Sequence, residues 1–125
     1  MLRFEKLDVW HRSIDYADKV YDAAESFPRK EQFGLTSQLT RAALSISSNL
    51  AEGSSRVSSK DFSRFVEIAF GSLCESVSLL CMARRRQYID KEQHAELYKE
   101  AEELTKMLSA FRNSLGKWKP EDVDK

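Results

Sequence analysis

The sequence predicts an all-α fold: an antiparallel up-down-up-down four-helix bundle, with helices at about 8–26, 35–53, 59–86 and 90–115. Three observations carry this reading. Breakers are scarce, with Gly 4 and Pro 2 in 125 residues, while charged residues make up 32%; few breakers and many charges favour long helices over a sheet. Apolar residues recur three and four apart through four segments. Short polar links separate those segments, so consecutive helices must fold back on each other.

Residues 1–7 form a lead-in. Asp8 is placed to cap the first helix. Its apolar stripe is Trp10, Ile14, Ala17, Tyr21 and Ala24, widened by Val9, Tyr16, Val20 and Phe27. Pro28 closes it, because proline disfavours a helical residue before it. The second helix, LTSQLTRAALSISSNLAEG, holds one charge, Arg41, between Leu35 and Ala51. Its core stripe is Leu35, Leu39, Ala42, Ile46, Leu50 and Gly53, with Asn49 on the same face. A second, small-residue row runs Ser37, Thr40, Leu44, Ser47, Ala51.

The turn GSSRVSS follows, and Ser58 with Asp61 resembles a capping box for the third helix. Its core stripe is Phe62, Val66, Ala69, Leu73, Val77 and Leu80. A second row reads Phe65, Ile68, Ser72, Glu75, Leu79, Met82, with Gly71 beside it. Asp90 and Gln93 open the fourth helix, whose single stripe is Leu97, Ala101, Leu104, Leu108, Phe111 and Leu115. Gly116 is a C-terminal stop. Residues 1–118 are expected to make one domain, on which Trp118 docks back, and 119–125 a disordered tail.

The outer helices carry one apolar stripe each and the middle two carry two. A monomeric bundle needs one. The surplus face is therefore expected to be buried by another copy, with Leu44, Ser47, Phe65, Ile68, Ser72 and Leu79 at the interface.

Lys+Arg and Asp+Glu are both 20, so no global basic excess argues for nucleic acid. No apolar leader follows the N-terminus, and no stretch approaches ~20 uninterrupted apolar residues; no membrane partner is expected. Cys74 and Cys81 lie two turns apart, ~10 Å of rise, too far for a disulfide within one helix. They are expected reduced and buried. These features together suit the cytoplasm.

Candidate chemistry is sparse. Neither His11 nor His94 has a glutamate three residues earlier, as a di-iron bundle requires. The serines of SISSN lack a paired base, and no glycine-rich phosphate loop exists. We expect no catalytic residue, metal or cofactor, and no enzyme. Asn49, Glu52, Gly53, Arg56 and Glu75 read as a structural polar set, with Gly53 a left-handed cap and Glu75 seeking an arginine, Arg41 or Arg56. Arg84, Arg85 and Arg86 complement the helix dipole. Repeated round a ring, they would form a basic belt for phosphates, with Arg56 and Lys60 on the opposite rim.

The segments FEKLDVW, FPRKEQFGLTSQLTRAALSISSNLAEGSSR and KDFSRFVEIAFGSLCES resemble the four-helix-bundle proteins encoded in intervening sequences of bacterial large-subunit ribosomal RNA genes. SxxSNxAEG, Arg56 and GSxxE carry the resemblance, which spans about residues 4–118. Ser47 stands where the family commonly has proline or a similar residue, and Ser76 where it has leucine. The fold is similar to the accessory variability protein of diversity-generating retroelements, relatives of which bind nucleic acid and a reverse transcriptase. The resemblance implies a ring, typically a pentamer, and RNA or an RNA-associated protein as partner. The alternative is a protein-only self-assembly or protein-binding module.

Overall fold

Four helices fill the computed structural model, which describes residues 1–117. They are α1 (Asp8–Ala24), α2 (Leu35–Ser54), α3 (Ser59–Arg85) and α4 (Lys91–Ser114). Short 3-10 turns cover Arg3–Lys6, Arg29–Glu31 and Leu115–Lys117, and no strand occurs among the described residues. The expected tail at 119–125 and the docking of Trp118 lie outside the described residues.

Local chemistry sets most of the ends. Ser58 Oγ accepts the Asp61 backbone N–H at 3.1 Å, and Asp90 Oδ1 accepts that of Gln93 at 2.8 Å. Each satisfies a donor with no partner inside its helix. Asp8 does not cap α1: Leu7 holds the cap position and Asp8 is the first helical residue. Its carboxylate there still faces the positive helix end. At the end of α3, Gln87 takes a left-handed φ of 64°. Its N–H reaches Arg84 O at 3.0 Å, and Tyr88 N–H reaches Ala83 O at 2.9 Å, the pattern that commonly uses glycine. Gly116 is no such stop: α4 tightens into the Leu115–Lys117 turn without a positive φ.

Each helix packs on its neighbours in sequence, and α4 closes on α1. The α2–α3 pair is the most extensive packing in the bundle. Arg12–Glu103 and Lys19–Glu100, both at 2.7 Å, link α1 to α4 at the surface. The core holds Tyr16, Leu39, Ile46, Leu50, Phe62, Leu73, Leu80, Leu104 and Leu108, all essentially without solvent exposure.

The stripes of α2, α3 and α4 point inward as expected. The face of α1 is rotated. Ala17 and Ala24 of the expected stripe and the widening residues Val9, Tyr16, Val20 and Phe27 are buried, with Ser13 and Ala23 added, whereas Ile14 and Tyr21 are 37% and 42% exposed. The sequence offers two overlapping stripes, and the buried one runs through a serine. Ser13 fits because its hydroxyl donates to Trp10 O at 2.7 Å, so no polar group is left unpaired. Tyr16 fits because its hydroxyl meets Ser76 Oγ at 2.8 Å. Ser76 donates to Leu73 O at 2.7 Å, so Tyr16 is the donor in the pair. This bond joins α1 to α3 across the bundle, and burial pushes the Tyr16 hydroxyl pKa up to about 12.

Gly53 lies inside α2, without a positive φ, so it is not the left-handed cap expected from sequence. A Cβ there would stand 2.7 Å from Phe65 Cβ and 2.8 Å from Phe62 Cδ1. The glycine exists for close approach of α2 to α3. Gly71, by contrast, has open space.

The two ends of the bundle are tied differently. At one end, Ser26 Oγ donates to Ala23 O and Tyr88 O, and Phe27 packs on Tyr88 with ring centroids 5.6 Å apart. Tyr88 O–H donates to Glu31 Oε2 at 2.8 Å, while Glu31 Oε1 accepts Leu35 N–H at 3.3 Å. The Tyr88 hydroxyl foremost holds the Glu31 carboxyl below its usual range. At the other end Phe62 meets Phe111 edge-on at 5.3 Å.

Helix α3 is long and apolar enough, by length and composition, to cross a membrane. No uninterrupted apolar run is involved: Glu67 and Glu75 are exposed along it, and its core stripe is packed within the bundle. Its apolar content comes from both its core stripe and its second row.

Two predictions follow from the packing. Gly53→Ala gains helix propensity of about 1 kcal/mol but forces overpacking of about 1–3 kcal/mol, so the melting temperature should fall by several degrees. Gly71→Ala, with nothing to meet, should raise it; equal shifts in thermal melts would remove the close-approach role of Gly53. For Tyr16, the folded chain keeps the proton between pH 10 and about 12 while the unfolded chain loses it. Its contribution is therefore intact below pH 10 and declines by about 1.4 kcal/mol per pH unit above it. Urea unfolding across that window should show a shallower loss in Tyr16→Phe than in the parent.

Candidate interaction surface

The outer face of the α2–α3 pair carries the second rows of both helices. Leu44 is 42% exposed, Ile68 52% and Met82 49%; Phe33, just before α2, is 90% exposed. Phe65, Ser72 and Leu79 are half-buried. Ser47 departs from the expected set. It is 5% exposed within its own chain, and its hydroxyl donates to Leu44 O at 3.2 Å. At 100° per residue it lies 60° from Leu44, toward the core, and it offers almost no surface to another molecule. Sequence reasoning undervalued Phe33; its place ahead of the N-terminal glycine, outside any stripe, was the available signal.

A groove of ≈ 600 Å³ runs between the two helices, lined by Phe33, Ser37, Arg41, Ser45, Ser72 and Glu75 among others. Its floor is polar and bonded. Ser72 O–H donates to Ser45 Oγ at 2.9 Å, and Asn49 Nδ2 donates to Ser45 O at 2.7 Å and to Ser45 Oγ at 2.9 Å. Asn49 is thus half-buried and bonded one turn back, not turned into the core at the helix end. Arg41 and Glu75 are exposed in this groove. Among the described residues Glu75 has no ion pair within 4 Å. In a single chain it is hydrated and needs none; a partner is required only once this face is covered.

Arg56 is occupied by its own chain. It lies 3.4 Å from Glu52 and over the Phe65 ring at 4.8 Å, a cation–π geometry. Lys60 is exposed near it, at the start of α3. Arg85 and Arg86 are exposed and Arg84 half-buried at the other end, roughly 40 Å away at 1.5 Å per residue. Tyr88 foremost holds Arg86 further toward its charged form. The two basic groups therefore mark opposite ends of the bundle and form no common site within one chain.

Both cysteines are exposed, not buried. At 100° per residue they fall on the flank of α3 beyond its core stripe. Cys81 Sγ stands 3.8 Å from His94 Nε2 of α4, a pairing across helices that sequence spacing did not show. His11 Nε2 contacts Glu5 O at 2.6 Å. Among the described residues, no three His, Cys, Asp or Glu side chains gather where a metal could be held.

The fold is similar to the crystal structure of a protein with unknown function from the S23 ribosomal protein family of Bacteroides thetaiotaomicron VPI-5482. The two share 24% identity and a TM-score of 0.77, over 83% of this chain and 97% of that one. No curated protein matches. The profile of the 23S rRNA-intervening sequence proteins matches residues 5–110, from the lead-in turn through most of α4. The chain therefore belongs to the 23S rRNA-intervening sequence protein family.

Proposed function

We propose that this chain is a non-enzymatic, cytoplasmic scaffold that assembles with copies of itself and presents its basic rims to RNA or an RNA-associated protein. The observation that carries the reading is the apolar outer face of α2–α3, where Leu44, Ile68 and Met82 are each more than two-fifths exposed. Burying such side chains against a second copy stabilises by roughly 25 cal/mol per Å² of apolar surface. The groove chemistry suits a self-complementary contact, because it offers an apolar projection, Phe33, and an arginine and a carboxylate in one strip. Arg41 of one copy can then answer Glu75 of the next. The resemblance to ring-forming bundles supplies the expected number, five.

The family name links these proteins to 23S rRNA, and Arg84, Arg85 and Arg86 would repeat round any ring. The protein-only module is the second reading, favoured by the formal net charge of zero.

Light scattering at micromolar concentration tests the assembly: the mass should be a multiple of 14.4 kDa, fivefold for a pentamer. Ile68→Glu should lower it to a single chain while far-ultraviolet dichroism stays helical. A parent protein of single-chain mass would refute the assembly. For RNA, the logarithm of affinity should fall linearly with the logarithm of salt, with a slope reduced by about 1 when Arg85 becomes alanine. A flat plot would leave the protein-only module.

A further inference from the structure

The pairing of Cys81 with His94 places a nucleophile beside a base, outside the proposed assembly face. We propose that Cys81 is a thiol activated by His94, a site for covalent S-thiolation by low-molecular-weight disulfides. Sγ and Nε2 stand 3.8 Å apart, within hydrogen-bond reach for sulfur. The two residues come from different helices, so the packing of α3 on α4 holds the geometry. Cys81 is solvent-exposed, which lets a disulfide reach it.

The small disulfide is itself the oxidant. His94 Nε2 takes the Sγ proton, and the thiolate attacks one sulfur of the disulfide. The S–S bond breaks as the new one forms, and the departing thiolate leaves with the proton from the imidazolium. One protein thiol and one disulfide become one mixed disulfide and one small thiol.

Cys74 is an internal control: the same helix, two turns earlier, also exposed, with no histidine contact among those described. Cys81 also lies about 140° round α3 from Ile68, so assembly through the α2–α3 face leaves it open. The inference is independent of the assembly reading.

The test uses the full chain, a neutral dipyridyl disulfide, and the variants Cys74→Ser and Cys81→Ser, each leaving one thiol. An unassisted cysteine is only a few per cent thiolate near neutrality, and nucleophilicity falls as acidity rises, so the expected advantage is about tenfold. Cys81 in Cys74→Ser should react about tenfold faster than Cys74 in Cys81→Ser. Adding His94→Gln to Cys74→Ser should remove that advantage, with the mass showing a single adduct. Equal rates in the two single-thiol proteins, both of which retain His94, would overturn the proposal. So would an unchanged Cys81 rate in a folded His94→Gln variant.

Discussion

The approach of α2 to α3 at Gly53 is the contact on which the bundle rests. With Phe65 Cβ and Phe62 Cδ1 within 3 Å of where a side chain would begin, the helices are as close there as backbone allows. Only four residues separate Ser54 from Ser59, so the hairpin has little slack. Phe62 then turns inward to Phe111, while Phe65 turns outward beneath Arg56. The pair behaves as one two-helix slab: its inner side receives α1 and α4, and its outer side becomes a continuous surface. A close-packed hairpin also explains why the surplus apolar rows fall together. Rows that flank the core stripes of two touching helices must border one shared groove.

Buried hydroxyls extend this slab into a specific core. Ser13, Ser47, Ser54 and Ser76 are all buried, and each donates to a carbonyl three residues earlier. A serine satisfied in this way costs little to bury, so it can occupy positions where an apolar residue would serve. Ser76 then has an acceptor left over for Tyr16. That bond is a polar link between the diagonal helices, made with α1 in its observed rotation.

The surface divides by flank. The α2–α3 groove carries the apolar projections and the Arg41–Glu75 strip; the ends of α3 carry the cations; the α3–α4 flank carries Cys81 and His94. The cations border the apolar face: Arg56 stands over Phe65, and Arg86 lines one hollow with Leu79 and Met82. The joint at Glu31, Tyr88 and Ser26 holds the basic end of α3 against the α1–α2 link.

The sequence by itself determined the fold class, the helix bounds to within two residues, the caps at Ser58 and Asp90, and the core stripes of three helices. These are local quantities: period, cap geometry and breaker spacing act within one or two turns. It determined the family as well, through SxxSNxAEG and GSxxE. Tertiary structure decided the phase of α1, because Trp10–Ile14–Tyr21 and Val9–Tyr16–Val20 are adjacent stripes and only packing on the other helices chooses between them. It decided that Gly53 serves close approach, since a glycine near a helix end reads alike in either role. It decided that Ser47 is buried and the cysteines exposed, because all three sit at the edge of a stripe. And it brought His94 to Cys81 from another helix, a distance that no spacing within one helix encodes.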